Sequence, residues 1–560
     1  MNYKKLLSSF ILTIIIILMT SCGSGNNSKV DNNGSNEIID SNGIFTDNDK
    51  ETSYNEAKSI IVNVDDESIT STSSKVNIQE NKLIIQQAGT YIISGELSDG
   101  QIIVDASKND KIRLILKNLS VNSNSSAALY VKKADKVFVT LDKNSVNYLT
   151  NSGNFINSDE NNIDAAIFSK EDITFNGTGE LNINTQYGHG IVSKDDLRVV
   201  GGIYNIDTKK HALVGKDAVK IAGGTFKITS GTDGIHSENT DDEKLGYTYI
   251  EGGKFTINSQ GDGIDSSYIL QINGGNFDIT SAQKGLKSTS NINITDGEFI
   301  IKATDDSVHS NANIEIKKGT FVCQTKDDGF HADSTLTVIE ANITITQSYE
   351  GFEAETIVIK GGVISIVSTD DGINASGGKD SSGFGGPSFG GPGQDRFNNG
   401  SSSNSSIKIM GGTIYIDAQG DGVDVNGNLY VSGGELYISG PTSNGDSAID
   451  YDGTATITGG IVVAAGSKGM IQNFGSASTQ GSILMTYTAK TQGAICLYNE
   501  NNTLLATYTP TKSYDSVVIS CPNLIKGNTY QLTAGTNATT ITLTNLIYGQ
   551  GGMSGGPRRP

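Results

Sequence analysis

Apolar and polar residues alternate along short segments of this chain, and the segments recur about every 22 residues. Each copy opens with Gly-Gly or an equivalent pair, continues as an alternating segment, and passes through a polar turn into a second short apolar segment. Examples are GGTFKITSGTDGIHS from Gly223, GGKFTINSQGDGIDS from Gly252 and GGNFDITSAQKGLKS from Gly274. Alternation with a period of two predicts strands that bury one face.

Twelve copies align on the second residue of the pair, and most steps between them are 21 to 23 residues. Two longer steps contain insertions, at 239–245 and at 376–406. Two places after the aligned residue stands a large apolar side chain, such as Phe226, Phe255 or Phe277. Stacking the copies would place these side chains in ladders inside a coil. The repeat therefore predicts an all-β, right-handed parallel β-helix of about twelve or more rungs.

The N-terminus opens with Lys4 and Lys5, continues through an apolar stretch, and reaches Met19-Thr20-Ser21-Cys22. This order is typical of a lipoprotein signal peptide, which would leave Cys22 as the lipidated first residue of the mature protein. The following residues are rich in Asn, Ser, Asp and Gly and have too few apolar side chains to fold alone. We expect a secreted protein held at the cell surface by its lipid.

The ends of a β-helix expose strand edges, which need caps. Residues 59–150 are β-rich with a different pattern, and they form either the first irregular rungs or an N-terminal cap. We predict six segments in all. They are a signal peptide at 1–21, a disordered linker at 22–58, the N-terminal β region at 59–150, the β-helix at 151–475 with a low-complexity Gly/Ser loop at 376–406, a small C-terminal β cap at 476–548, and a disordered tail at 549–560.

The formal charge is −20, and about −22 once Lys4 and Lys5 are removed with the signal peptide. Such a chain is a poor partner for nucleic acid or for an anionic membrane surface, so we expect membrane contact only through the lipid at Cys22. Three cysteines remain after Cys22, too few for a disulfide scaffold. Cys496 and Cys521 could pair, and Cys323 occupies a slot that holds isoleucine in other copies.

The second segment of each copy has the form acidic, Gly, apolar, polar. Its first slot holds Asp233, Asp262, Lys284, Asp306, Asp328, Glu350, Asp371 and Asp421. Its fourth slot holds His236, Asp265, Lys287, His309, His331, Glu353, Asn374 and Asp424. Carboxylates one rung apart repel each other unless a cation lies between them, and a hard divalent cation gains oxygen ligands there.

We therefore expect Ca²⁺ on this row, most strongly at Asp262/Asp265 and Asp421/Asp424, where both slots are acidic. The full set of candidate metal ligands is Asp262, Asp265, Asp306, Asp328, Glu350, Glu353, Asp371, Asp421 and Asp424. An alternative is that the Asp-Gly pairs are turn residues, with Gly supplying positive φ, which explains the first slot but not the fourth. The histidines of the row suggest a transition-metal line, but other rungs separate them, and exposed polar positions explain them better.

Enzymes that cleave pectin use β-helices, so their chemistry must be considered. The short motifs at 188–190, 239–241 and 305–306 occur in the wrong order for a polygalacturonase, no Arg-x-Lys follows, and we treat them as coincidence. Lys284 and Lys287 lie within the acidic row and could act as the base of a Ca²⁺-dependent pectate lyase. The alternative is that their ammonium groups relieve a crowded carboxylate ladder.

The order of lipobox, polar linker, GTYIISGELSDGQIIVDA, SSAALYVKKADKVFVTL, the Gly-Gly-Phe rungs, the Gly/Phe/Pro-rich insertion and SYDSVVISCPNLIKGNTYQL resembles the clostridial cellulose- and pectin-binding β-helix family. These are carbohydrate-binding domain-containing proteins with a fold like that of polysaccharide lyases. The resemblance implies a Ca²⁺-bearing β-helix that binds acidic sugars and cellulosic material at a cell surface. The chain has no Trp, so any stacking on sugar rings would fall to tyrosines such as Tyr415, Tyr430 and Tyr437.

Three hypotheses follow. The first is a non-catalytic, extracellular protein that binds polygalacturonate or pectin, and cellulosic material, with Ca²⁺ as cofactor. The second is a lyase that uses Lys284 or Lys287 as its base. The third is a structural surface or adhesion protein that needs no sugar.

Overall fold

The computed structural model describes residues 37–66, 68–156, 161–375 and 404–551. In these residues the chain is almost entirely β-strand and winds as a parallel β-helix of about 15 turns, which confirms the predicted fold. The signal peptide, Cys22, most of the 376–406 loop and most of the tail lie outside the described residues. None of the helices in the described ranges is long and apolar enough to span a membrane.

Each turn contributes strands to three columns of hydrogen-bonded parallel strands, here called sheets A, B and C. Sheet A contains Gly89–Leu97, Lys111–Ser123, Val146–Asn151, Glu180–Thr185, Ile203–Thr208, Thr225–Ser230, Lys254–Ser259, Asn276–Ser281, Glu298–Lys302, Thr320–Gln324, Asn342–Ser348, Val363–Ser368, Thr413–Ala418, Glu435–Ser439 and Ile461–Gly466. Sheet B contains Lys82–Ile85, Gln101–Asp105, Leu129–Lys133, Ala165–Ser169, His189–Ser193, Leu213–Gly215, Ile235–Ser237, Ile264–Ser266, Leu286–Ser288, Val308–Ser310, the first residues of Phe330–Val338 and Phe352–Ile359, Ile373–Ala375 and Val423–Val425. Sheet C contains Ile60–Asp65, the first parts of Gly89–Leu97 and Lys111–Ser123, Lys136–Leu141, Asp172–Gly177, Asp196–Val199, Ala218–Ile221, Tyr247–Ile250, Leu270–Ile272, Ile292–Ile294, Asn313–Ile316, the last residues of Phe330–Val338 and Phe352–Ile359, Ser406–Ile409, Asn428–Val431 and Ala455–Ile457.

Phenylalanines from successive sheet A strands stack inside the coil, as the repeat predicts. From Phe226 to Phe321 the ring centroids are 4.4 to 4.8 Å apart and the rings are within 3° of parallel. This spacing is that of neighbouring strands in a sheet. The strands Lys254–Ser259 and Asn276–Ser281 alternate strictly between exposed and buried residues. The core is therefore built from side chains at the same position of each repeat, stacked along the coil axis.

The Gly-Gly or equivalent pair before most sheet A strands makes room for this stack through its second residue. Gly297 has φ of +140°, which side chains rarely adopt. A Cβ at Gly297 would also lie 2.8 Å from Cε2 of Phe299. The second glycine of the pair is therefore required both by backbone conformation and by the ring that follows it.

Residues 59–150 form the first turns of the coil, with two antiparallel hairpins at its end. Ser68–Ser71 pairs antiparallel with the first sheet C strand, and Val76–Gln79 pairs antiparallel with the first sheet B strand. The predicted C-terminal β cap is also present. Its strands are Ser482–Thr491, Ile495–Asn499, Leu504–Tyr508, Tyr514–Ser520, Thr529–Ala534, Asn537–Thr542 and Ile547–Tyr548. Tyr514–Ser520 pairs antiparallel with the last sheet A strand and so covers its edge.

The disorder predicted for 22–58 is wrong for residues 37–58, which pack along sheet C. They contain a short helix, Asp47–Lys50, and a 3₁₀ turn, Glu56–Lys58. Asp49 is buried, with its Oδ1 2.7 Å from Nζ of Lys136. Composition could not reveal this because polar contacts, rather than a large apolar surface, hold the segment. Further contacts are those of Arg198 with Ile44, Gln271 with Ile39, and Asn293 with Glu37.

The described cysteines contribute packing rather than cross-links. Cys323 is fully buried between Ile301 and Ile345 in sheet A, as its slot predicts, and burial raises the pKa of its thiol to about 12. Cys496 and Cys521 are both free thiols, so the pairing considered for them is not formed.

Replacing Phe277 by Ala should remove a ring that stacks on two neighbours and leave a cavity. Phe277 is 2% exposed, so we expect a loss of about 3 to 5 kcal/mol in the free energy of unfolding. Denaturant unfolding followed by circular dichroism measures it. The control is Thr280→Ala on the same strand, whose exposed side chain should change stability by less than about 0.5 kcal/mol. Equal losses in both variants would contradict the ladder as a source of stability.

Candidate functional site

Sheet B and the turns before its strands form the acidic row predicted from the repeat. Fourth-slot residues of neighbouring turns are in register, from His236 beside Asp265 to Asn374 beside Asp424. First-slot residues stand two positions before each of these strands. The structure thus brings the predicted ligand residues onto one face of the coil. They are Asp262, Asp265, Asp306, Asp328, Glu350, Glu353, Asp371, Asp421 and Asp424.

First-slot carboxylates also have a structural role that sequence analysis missed. Asp233 Oδ1 accepts a hydrogen bond of 2.8 Å from the backbone N–H of Asp262, and Asp262 Oδ1 accepts one of 2.9 Å from that of Lys284. The same bond to the next turn is made by Asp306, Asp328, Asp371 and Asp421. One oxygen of each carboxylate therefore satisfies a backbone donor that would otherwise be unpaired.

The glycine after the first slot is required by close packing between turns. The turn interpretation is therefore wrong in attributing this glycine to positive φ. Gly263 and Gly329 are not among the residues with positive φ. A Cβ on Gly263 would lie 2.5 Å from the carbonyl oxygen of Gly285 in the next turn, and one on Gly329 would lie 2.5 Å from that of Gly351. Only glycine lets successive turns approach this closely.

Histidines and lysines of the row lie against the carboxylates of its N-terminal half. Asp233 Oδ2 lies 3.0 Å from Nδ1 of both His211 and His236. One turn farther, Nζ of Lys287 lies 3.1 Å from Oδ2 of Asp262. The predicted Asp262/Asp265 cation site therefore has a cation supplied by the chain itself.

Lys284 and Lys287 are held as ammonium groups. Lys284 Nζ lies 2.8 Å from Oδ1 of Asp305 and 2.7 Å from Oδ2 of Asp306. Burial lowers the pKa of both lysines, but the adjacent carboxylates outweigh burial and raise each pKa above its usual range. A Brønsted base must be neutral to accept a proton. Their geometry therefore supports the charge-relief interpretation over the catalytic one.

His331 and His309 are buried, so their interpretation as exposed polar positions is wrong. His331 Nδ1 lies 2.6 Å from Oε2 of Glu353 and 3.5 Å from Oδ2 of Asp328. Burial lowers the pKa of His331, but Asp328, Asp333 and Glu353 together raise it well above its usual range. His331 is therefore an imidazolium that balances part of the charge in the middle of the row.

The C-terminal part of the row has a different balance of acidic and basic side chains. In the described ranges no lysine, arginine or histidine pairs with Glu350, Asp371 or Asp421. Burial and neighbouring carboxylates raise the pKa values of Glu350 and Asp371 well above their usual range. Burial, together with Asp424 and Asp450, raises the pKa of Asp421 to about 9. If these carboxyl groups ionise, the described residues place no positive charge beside Glu350, Asp371 or Asp421 to balance them.

Oxygen atoms converge at the same place. Asp371, Asp421 and Asp424 each bring a carboxylate oxygen within 4.8 Å of the others. Asn374 is buried beside Asp424, its Nδ2 donates to Glu350 over 2.9 Å, and its Oδ1 makes no hydrogen bond within the described residues. Ca²⁺ prefers about six to eight oxygen ligands from carboxylates, amides and water. The residues at this cluster therefore fit a hard divalent cation.

Sequence analysis missed two members of the row, His189 and His211. They stand two residues before Ile191 and Leu213, which pair with each other in sheet B, and so occupy the first slot of two earlier turns. Extending the slot pattern toward the N-terminus would have found them.

Two of the three tyrosines singled out from the sequence come together. Tyr415 and Tyr437 stack with ring centroids 5.2 Å apart on sheet A, and Tyr508 of the C-terminal cap lies 5.3 Å from Tyr437. Tyr430 lies on sheet C instead. The stacked pair is therefore on a different sheet from the acidic row.

Two comparisons relate part of this β-helix to known carbohydrate-binding domain-containing proteins. Residues 79–329 match the family model described as carbohydrate-binding domain-containing protein. A protein of the same description from Acetivibrio thermocellus is 35% identical over 136 residues, which are 24% of this chain and 47% of that protein. The chain thus matches about half the length of this relative. Both findings confirm the family resemblance noted in the sequence.

A solved structure described as the polysaccharide lyase-like protein from C. thermocellum, gadolinium derivative, is 29% identical. It covers 44% of this chain and 94% of its own, with a TM-score of 0.38. A superposition this loose carries no argument about the site.

Without divalent cations, stability should fall as pH rises. An acid whose pKa is raised on folding contributes full stability below its unfolded pKa of about 4, and this contribution is lost as pH rises toward the folded value. For Asp421 the folded value is about 9. We expect a lower unfolding temperature at about pH 8 than at about pH 5 in EDTA, with Ca²⁺ raising it mainly at the higher pH.

Calorimetry of the wild type and Asp421→Asn isolates this group from other titrating residues. The variant keeps an oxygen for the N–H of Ser447 but has no charge to titrate, so its pH dependence and its response to Ca²⁺ should both shrink. Identical pH profiles for the two proteins would contradict the assignment.

Proposed function

We propose that this protein binds acidic polysaccharide, polygalacturonate above all, through Ca²⁺ held at Asp371, Asp421 and Asp424, without cleaving it. The observation that carries the proposal is the convergence of carboxylate oxygens of Asp371, Asp421 and Asp424 within 4.8 Å of one another, where burial and neighbouring carboxylates raise the pKa values of Asp371 and Asp421. A divalent cation would remove that repulsion and take its oxygen ligands from the same atoms. The family description, carbohydrate-binding, supports a sugar as partner.

The cluster offers a cation both protein ligands and an open side. Asp371 is buried, whereas Asp421 and Asp424 are partly exposed at the surface of sheet B. A Ca²⁺ ion bound there would complete its shell with water or with a uronate carboxylate. Because protein and polymer are both anionic, such a bridging metal would turn repulsion into attraction.

The protonation of the two lysines in the row favours a binder over a lyase. Lys284 and Lys287 each contact two carboxylates, and the raised pKa values keep them charged. A lyase would need one of them neutral and free to face a sugar C5 proton. Cleavage is therefore the alternative that the ultraviolet absorbance measurement tests.

The proposal includes an extracellular location, with the protein attached to the membrane by lipid at Cys22. It rests on the order of charged, apolar and small residues before that cysteine. The stacked pair of Tyr415 and Tyr437, with Tyr415 42% exposed, offers a second surface on which cellulosic sugar rings would stack.

Polygalacturonate immobilised on beads should retain the purified protein in Ca²⁺ and release it in EDTA. Asp421→Asn combined with Asp424→Asn should weaken retention by more than about tenfold, because each removes a charged ligand of the cluster. Ultraviolet absorbance of the soluble polymer, which reports unsaturated ends, should stay flat in the same incubation.

The matched control is Asp278→Asn, which removes the same charge from an exposed position on sheet A and should bind like the wild type. Rising absorbance that disappears in Lys284→Ala or Lys287→Ala would establish the lyase instead. No retention with or without Ca²⁺ would refute the pectin assignment and favour a structural or adhesive role.

A further inference from the structure

Three histidines stack at the N-terminal end of the acidic row, far along the coil from the proposed Ca²⁺ cluster. The rings of His189 and His211 are 5.0 Å apart and within 16° of parallel. Those of His211 and His236 are 4.3 Å apart and within 12°. Imidazole nitrogens are poor ligands for Ca²⁺ but good ones for zinc-like cations. The chemistry offered at this end of the row therefore differs from that at the other end.

Two of these rings direct nitrogen atoms at one carboxylate oxygen. Asp233 Oδ2 is 3.0 Å from Nδ1 of His211 and 3.0 Å from Nδ1 of His236. Asp265 Oδ2 lies 3.3 Å from the same nitrogen of His236. Ligands about 2.0 to 2.1 Å from a tetrahedral Zn²⁺ are about 3.3 Å from one another. These three separations are close to those between ligands of a tetrahedral site, and donor atoms of His211, Asp233 and His236 all lie within 4.8 Å of one another.

A second observation concerns the hydrogen bonding of His236. Its Nδ1 is buried and makes no hydrogen bond within the described residues, although two carboxylates lie near it. Buried polar atoms rarely stay unsatisfied, and a cation among these groups would satisfy this one. The backbone N–H of Asp233 donates a hydrogen bond of 3.1 Å to His211 Nδ1, and a bound metal would have to displace this bond.

His236 also has the outer partner that metal-binding histidines commonly have. Its Nε2 is 3.5 Å from a carboxylate oxygen of Glu238. A carboxylate in this position orients the ring and increases its basicity toward a metal at the other nitrogen. A divalent ion would take the place of the proton that His236 Nδ1 holds between Asp233 and Asp265, and the two carboxylates would then balance the charge of the ion.

We infer that His211, Asp233, His236 and Asp265 form a binding site for a borderline divalent cation of the zinc class. The site is separate from the oxygen cluster at Asp371, Asp421 and Asp424, and it does not depend on the proposed function. The simpler alternative is that the two histidines act only as counter-ions of Asp233, as His309 does for Asp306.

The test is titration of purified, untagged, metal-free protein with Zn²⁺ in excess Ca²⁺, followed by calorimetry and by metal analysis after dialysis. We expect the protein to bind one equivalent of Zn²⁺ while Ca²⁺ occupies the other cation sites. Co²⁺ should give the visible absorption of a four-coordinate ion, a readout that a structural ion pair would not produce. His211→Ala and His236→Ala should each weaken binding by more than about tenfold.

Asp233→Asn serves as the gentlest variant, since it keeps Oδ1 for the N–H of Asp262 while removing the charged ligand. Circular dichroism confirms that each variant is folded. The matched control is His309→Ala, because His309 stacks on His331 in the same row but lies outside the site. The inference is overturned if the wild type binds no Zn²⁺ under these conditions. Equal binding by wild type and Asp233→Asn, or equal loss in His309→Ala, would overturn it as well.

Discussion

A parallel coil repeats its backbone at the spacing of one strand, so each side chain lies next to its counterpart in the following turn. For aromatic residues this is favourable, as the closely stacked rings from Phe226 to Phe321 show. For carboxylates it is not. Two charges about 5 Å apart at an effective dielectric constant of about 20 repel by roughly 3 kcal/mol. The chemistry of the sheet B face follows from the need to offset this repulsion.

The chain meets that need differently along its length. Near the N-terminal end, imidazole rings face Asp233, and in the following turns ammonium groups face Asp262 and Asp306. In the middle, His331 supplies an imidazolium. Toward the C-terminal end, Asp371 and Asp421 have no such partner among the described residues. Donor chemistry therefore changes from mixed nitrogen and oxygen to oxygen alone, which is why we propose a different class of cation for each end of the row.

Much of the fold was predictable because buried slots repeat. Cys323 shows how far the pattern reaches, since its place among isoleucines was enough to predict its burial. Contacts between side chains of different turns were harder to predict from the sequence. Asp233, for example, contacts His211, which lies 22 residues earlier in the chain. The segment around Asp49 was missed for a related reason. Its contacts are polar and come from distant turns, and composition contains no information about them.

The hydrogen bonds from first-slot carboxylates to the next turn show which feature of these residues is needed for folding and which is not. A first-slot aspartate supplies one oxygen to the next backbone N–H, and the amide of Asn would supply it without burying a charge. Asn374 shows that this face accommodates a buried amide. Yet the chain keeps carboxylates at Asp371 and Asp421, where no described cation compensates them and where their pKa values are raised. Groups held ionisable at a cost to stability are typical of functional sites, and backbone structure alone does not require them, which supports the proposal of a cation between turns.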